Sequence, residues 1–179
     1  MSANKNDRIL LGSRLISSAA SWAEVSKRTE CANQLFPAPA DKTGAALCCI
    51  ELTVIELSLK AILAMEGYNE GYLKKKMSHK LSEVYGAIPD DIKAKIASVC
   101  GYDNDRIMSE LRNIDKSNNG LINWRYLDFV DSLTAPSTKQ HFCDTFVRGF
   151  MIASYQTART VCRVDHGRVI NIGNPMREE

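Results

Sequence analysis

The chain has few of the residues on which metal sites and disulfide frameworks depend. It contains six cysteines and three histidines in 179 residues. No two cysteines form a C-x-x-C pair, no histidine stands at zinc-ligand spacing, and the adjacent Cys48 and Cys49 fall inside a predicted helix. We therefore expect reduced, mostly buried thiols, and neither a bound metal nor a cofactor.

An excess of charge of one sign and a long apolar run are also missing. The 23 basic and 21 acidic residues leave a formal charge of +2, so any basic binding site must be local. Arg14 interrupts the apolar run that begins at Ile9 before a signal-peptide core forms, and no stretch is long enough to span a bilayer. We expect a cytoplasmic protein that does not enter a membrane.

Strand-type alternation and internal repeats are absent as well, whereas apolar residues recur at helical spacing along most of the chain. A hydrophobic content of 45% is enough for one substantial core. The sequence predicts an all-α protein, a single bundle of four to five main helices with short connecting helices. We expect one domain over residues 1–166 and a flexible tail over residues 167–179.

Three long helices account for most of this bundle. The first is predicted from about Asp7 to Arg28, and the second begins after the proline-rich segment 36–39 and ends at Gly67. A capping box at Pro136-Ser137 starts the last one. The inward stripe of the first helix is predicted at Leu11, Leu15, Ala19, Trp22 and Val25.

Shorter helices are expected between the long ones. Ser78 is predicted to cap a helix that runs through Tyr85, and Asp90 to cap another that ends near Cys100. A further short helix follows Asp103 to Leu111 or Arg112, the stretch 113–123 reads as a loop, and 127–133 as one short helix. The buried edge of the helix at 90–100 is predicted at Ile92, Ile96 and Val99.

The most distinctive pattern lies in residues 51–85 and continues at 124–126. Glu56 and Lys60 stand four apart and therefore on one face of an apolar helix. The complete pattern is Glu51-Leu52-x-x-x-Glu56-Leu57-x-Leu59-Lys60-Ala61-Ile62-Leu63, then Gly67, then His79-x-Leu81-x-x-Val84-Tyr85, and finally Trp124-Arg125-Tyr126. This pattern, within residues 43–129, resembles HEPN-domain proteins, a superfamily of helical nucleotide-binding proteins.

The resemblance implies a helical bundle that is often a homodimer and occurs in toxin–antitoxin pairs, phage-defence systems and companions of nucleotidyltransferases. The expected partners are RNA or a nucleotide, a second copy of the chain, and a protein encoded by a neighbouring gene. Active members are metal-independent endoribonucleases, with an arginine followed by a histidine on a helix. Histidine transfers protons near neutral pH, and the arginine fork binds phosphoryl oxygens.

Two functional hypotheses follow from the resemblance. In one, Arg159 and His166 are the catalytic pair of a ribonuclease, although Thr160 stands where active members have Asn, Asp or His. In the other, the chain is a non-catalytic module that binds RNA, a nucleotide or a protein. Arg112 supports the second hypothesis, because Ser117 replaces the histidine expected after it. We favour the non-catalytic module.

Each candidate site residue also has a purely structural interpretation. The polar ligand-binding cluster is predicted at Glu56, Lys60, His79, Arg125 and Tyr126. Glu56 and Lys60 would otherwise form a surface ion pair contributing about 0.3–0.5 kcal/mol, with His79 bonded to Glu56 or to a loop carbonyl, and Tyr126 would be a core anchor. The candidate phosphate contacts, or else a solvated loop, are Lys74, Lys75, Lys76 and Lys80.

Overall fold

The computed structural model describes residues 4–35, 40–77, 79–117 and 144–164. Within these ranges the chain forms seven helices and no strand, which confirms the predicted all-α class. None of the described helices has the length and apolar character needed to cross a membrane. The helices are α1 (Lys5–Leu35), α2 (Ala40–Met65), α3 (Glu70–Lys75), α4 (Leu81–Gly86), α5 (Asp90–Cys100), α6 (Asn104–Ser117) and α7 (Asp144–Val164).

Helix α2 is the centre of the core. Every residue from Glu51 to Met65 except Leu57 is buried, because α1, α7 and α4 all pack against this helix. A helix that is apolar on all sides reaches stability only when it is covered on all sides. Consequently, a charged side chain on this part of α2 must find its partner inside the protein.

Aromatic rings join α7 to the shorter helices. The rings of Phe146 and Phe150 are stacked, with centroids 5.6 Å apart. Tyr85 of α4 meets Phe150 edge-on at 5.6 Å, and Tyr102 lies 5.5 Å from Phe146. Phe146, Phe150 and Ala153 are buried and belong to the apolar side of α7. These contacts place α4 and the α5–α6 connection against the main bundle.

The inward stripe predicted for α1 is wrong at its C-terminal half. Trp22 and Val25 are 43% and 40% exposed. Ala19 is buried as predicted, and the helix also buries Gly12, Ile16 and Ser26. A Cβ atom on Gly12 would lie 2.8 Å from the Met65 sulfur, so small side chains let α1 approach α2 closely. Hydrophobicity alone pointed to the larger residues beside them.

Three further predictions for the short helices are wrong. The N-cap residue of α5 is Pro89, and Asp90 belongs to the first helical turn. Val99 is 52% exposed instead of buried. Helix α6 continues to Ser117, so the predicted loop begins too early. The reason is that Ile107, Leu111 and Ile114 extend one buried stripe through the last turn of α6.

Several predicted features lie outside the described residues. They are the helix at 127–133, the capping box at Pro136-Ser137 and the tail at 167–179. The predicted cap at Ser78 is wrong, because α4 begins at Leu81 and its N-cap residue is Lys80.

The start of α4 is capped from a distant helix. Lys80, the N-cap residue, makes no side-chain capping hydrogen bond. Instead, the carboxylate of Asp115 on α6 accepts the backbone N–H groups of Leu81 and Ser82, each at 2.9 Å. The first N–H groups of a helix have no partner within the helix, so this carboxylate satisfies two of them and ties α4 to α6.

Two glycines adopt the left-handed backbone region where helices end. Gly67, after α2, has φ +103°, and Gly101, after α5, has φ +75°. A Cβ atom on Gly67 would lie 2.8 Å from Cζ of Arg8, whereas one on Gly101 would meet nothing within 4 Å. Gly67 is thus needed both for its backbone angle and for the contact with α1.

This difference predicts unequal effects of alanine at the two positions. We expect Gly101→Ala to lower the free energy of unfolding by about 1 kcal/mol, from backbone strain alone. Gly67→Ala should cost more, because its backbone angle is less favourable and Arg8 must move. Urea-induced unfolding followed by circular dichroism measures both. Equal losses would contradict the importance of the Arg8 contact, and an Arg8→Ala background should reduce the difference.

Candidate functional site

A buried ion pair on α2 forms the base of the candidate site. Because Glu56 and Lys60 are four residues apart, they point from the same face of the helix. Lys60 Nζ donates to Glu56 Oε1 at 2.7 Å, and the two side chains are only 10% and 4% exposed. The interpretation of these residues as a surface ion pair is therefore wrong. Each charge here depends on the other, since water is not available to replace it.

His79 completes a polar cluster with this pair. Its Nδ1 lies 3.0 Å from Oε1 and 3.2 Å from Oε2 of Glu56, which confirms the predicted bond between the two residues. The imidazole is 33% exposed. A carboxylate acceptor at Nδ1 fixes the orientation of the ring and places the proton on that nitrogen. We call Glu56, Lys60 and His79 the α2 cluster.

The α2 cluster anchors the segment that carries the candidate phosphate contacts. Asn69 caps α3 by accepting the N–H of Tyr72 at 2.9 Å. Leu73 and Met77 are buried in the core, and His79 attaches the next residues to α2. Leu73, Met77 and His79 are therefore three separate points at which this part of the chain is held against the bundle. We call residues 74–80 the lysine segment.

The four lysines of this segment differ in their partners. Lys74 pairs with Glu70 at 2.7 Å and Lys80 with Glu83 at 2.9 Å. The hydrogen bond from Lys74 lowers the pKa of the Glu70 carboxyl, and the hydrogen bond to Glu83 raises the pKa of Lys80. Lys75 and Lys76 are exposed. Within the described part of the chain, no carboxylate lies at ion-pair distance from either of them.

The other predicted site residues are not brought into this cluster by the described structure. Arg159 lies on α7, where its guanidinium stands over the ring of Tyr155, 5.7 Å from the centroid. A cation–π contact of this kind is a common surface arrangement. His166, Arg125 and Tyr126 lie outside the described residues. The Arg159–His166 pair and the extension of the cluster to residues 125–126 stay predictions.

A second polar cluster, which the sequence analysis missed, joins the three long helices. Arg148 of α7 donates from Nε to Glu51 of α2 at 3.3 Å and from Nη1 to Glu30 of α1 at 2.8 Å. The Glu51 side chain is only 6% exposed. These partners are 97 and 118 residues from Arg148 in sequence. The only signal in the sequence was Glu51 itself, a carboxylate on a helix that is otherwise expected to be buried and that therefore needs a partner.

An open cavity lies apart from both clusters, between the end of α2, α5 and α7. Its volume is about 420 Å³, and its lining includes Met65 and Ile92 together with the charged residues Glu66, Asp91 and Lys95. None of the predicted site residues that the structure describes lines it. In the described ranges, no three His, Cys, Asp or Glu side chains are grouped in a way that suits a metal ion.

Comparisons with known proteins gave no match, whether to family models, to curated proteins or to solved structures.

The buried Glu56–Lys60 pair predicts a large loss of stability when one charge is removed. Glu56→Gln should lower the free energy of unfolding by about 3 kcal/mol, because it leaves the Lys60 ammonium buried without a counter-charge. The double variant Glu56→Gln with Lys60→Met should recover at least half of that loss. Guanidinium-induced unfolding measures both variants.

A matched control exists in α3. Glu70 and Lys74 have the same spacing and the same 2.7 Å separation, but their side chains are 46% and 73% exposed. Glu70→Gln should therefore leave stability unchanged within error, since water screens this pair. A comparable loss in Glu56→Gln and Glu70→Gln would show that burial does not set the importance of the α2 pair.

Proposed function

We propose that this chain is a non-catalytic, HEPN-like RNA-binding module, and that the lysine segment is its contact surface. The proposal combines the residue pattern of the α2 cluster with the placement of the lysines beside it. The single observation that carries it is the exposure of Lys75 and Lys76 without a described acidic partner, on a segment anchored at three points.

Anchoring matters because binding costs conformational entropy. A lysine in a loose loop loses main-chain and side-chain freedom when it contacts a phosphate. Leu73, Met77 and His79 already hold this segment in place, so less freedom remains to be lost on binding. The phosphates of RNA would then supply the negative charge that Lys75 and Lys76 lack within the described structure.

The role assigned to His79 follows from its partner. Its Nδ1 faces a carboxylate that also carries the Lys60 ammonium. In this arrangement the ring positions the lysine segment, and its exposed part lies next to the candidate phosphate contacts in sequence. Arg159, the other half of the predicted catalytic chemistry, is on α7 and stacks on Tyr155. Both observations favour binding over cleavage.

The proposal predicts a specific loss of RNA affinity in the variant Lys75→Gln/Lys76→Gln. With two phosphate contacts removed, binding of a fluorescent single-stranded RNA of mixed sequence should weaken about tenfold at low salt. The slope of log K against log salt should also become shallower by about 1.4, the value for two single-strand contacts. Fluorescence polarisation between about 50 and about 200 mM KCl measures both quantities.

Lys5→Gln/Lys27→Gln is the matched control, because it removes the same net charge from exposed positions on α1. If both double variants weaken RNA binding equally, the interaction is only a nonspecific attraction between RNA and the net charge of the protein, and the proposal is wrong. The same samples, run on denaturing gels in chelator, test for cleavage. Cleavage that disappears in His166→Ala would replace this proposal with the ribonuclease hypothesis.

A further inference from the structure

Helix α3 exposes an aromatic ring next to the lysine segment. Tyr72 is 42% exposed and stands two residues before Lys74 in the chain. In the part of the chain that the structure describes, Trp22 is the other aromatic side chain that is exposed to this extent, and it belongs to α1. An aromatic ring in water beside cationic side chains is the combination with which proteins bind single-stranded nucleic acid.

The turn of α3 separates its lysines onto two sides. At about 100° per residue, Tyr72 lies about 40° around the helix axis from Lys76 and about 60° from Lys75, one on each side of the ring. Lys74 lies about 160° away, where it pairs with Glu70 at 2.7 Å. The side of α3 that carries the exposed ring therefore also carries the two lysines that have no described acidic partner.

The position of Tyr72 is fixed by hydrogen bonds and by a second ring. Its N–H donates to Asn69 Oδ1 at 2.9 Å, and its carbonyl accepts the N–H groups of Lys76 at 2.9 Å and Met77 at 3.3 Å. Its ring lies 5.4 Å from that of Tyr68, at an interplanar angle of 51°, and Tyr68 packs against the core. Little main-chain freedom is therefore lost when a ligand covers the Tyr72 ring.

The ring and the lysines differ in the forms of RNA that they can contact. Lysine ammonium groups bind the phosphates of single-stranded and of duplex RNA alike. The bases of a duplex are stacked on one another, so that proteins contact its phosphates, its 2′-hydroxyl groups and its shallow groove. The face of a base is open to an aromatic side chain only where the base is unpaired. An exposed ring among lysines thus adds affinity for unpaired RNA alone.

We propose that Tyr72 is a stacking site for an unpaired RNA base, and that this ring makes the lysine segment select single-stranded over duplex RNA. The inference rests on the proposed function, because it needs phosphates held by Lys75 and Lys76. These two lysines flank the nucleotide whose base covers the ring. Every base has an aromatic face, so the site accepts any of the four bases.

Fluorescence polarisation of the full chain tests the selectivity, with a labelled RNA strand of about 12 nucleotides and a duplex of the same sequence. Tyr72→Leu should weaken binding of the single strand about tenfold and binding of the duplex less than about twofold. The dependence of single-strand affinity on salt should keep its wild-type slope, because no charge is removed. Tyr72→Phe keeps the ring and should bind within about twofold of wild type.

Trp22→Leu is the matched control, because it removes an aromatic ring of almost the same exposure, 43%, from another helix. It should leave the affinity for both RNA forms within about twofold of wild type. Equal losses in Tyr72→Leu and Trp22→Leu, or a loss in Tyr72→Leu that is as large for the duplex as for the single strand, would overturn the proposal. Circular dichroism of each variant checks that the helices are intact.

Abasic RNA tests the stacking site in the unmodified protein. A strand of the same length without bases keeps every phosphate but has nothing to stack, so the wild-type chain should bind it about tenfold more weakly than the normal strand. Equal binding of the two strands would overturn the stacking site. The proposed function would still hold if Lys75→Gln/Lys76→Gln weakened binding, whereas a wild-type chain that binds neither strand contradicts both proposals.

Discussion

The structure depends on one buried carboxylate. Glu56 stands on the most deeply covered part of α2 and holds two groups, the ammonium of Lys60 from its own helix and the imidazole of His79 from the α3–α4 connection. A buried charge is tolerated only when it is paired and hydrogen-bonded. The α3–α4 connection thus supplies a second partner to the buried carboxylate, and one side chain links the core to the placement of the lysine segment.

The sequence was informative where one segment carries the whole signal. Periodicity located the long helices, Gly67 marked the end of α2, and the spacing of Glu56 and Lys60 placed them on one face. Prediction from the sequence failed where the contact that determines the structure comes from a residue far along the chain. Asp115 caps α4 from α6, and Arg148 reaches Glu30 and Glu51 across more than ninety residues. The local sequence of α4 or of α7 does not indicate these distant hydrogen-bond partners.

The error in α1 has a different physical origin. Trp22 and Val25 are more hydrophobic than Gly12 and Ser26, so a pattern based on transfer free energy predicts that the larger residues face inward. Close helix packing selects instead for small side chains where two backbones approach, as at Gly12 beside Met65. Trp22 and Val25 are then left on the outer side of α1.

The cap supplied by Asp115 also orders events in folding. Its hydrogen bonds to Leu81 and Ser82 close loops of 34 and 33 residues, so they form only after α5 and α6 have folded back onto α4. Contacts of high sequence separation are formed late, because loop-closure entropy must be overcome first. During synthesis, the lysine segment is made well before Asp115. The adjacent helix α4 therefore lacks its capping carboxylate until α6 has been made. The lysine segment is thus completed from its C-terminal side, by a residue that lies outside the segment.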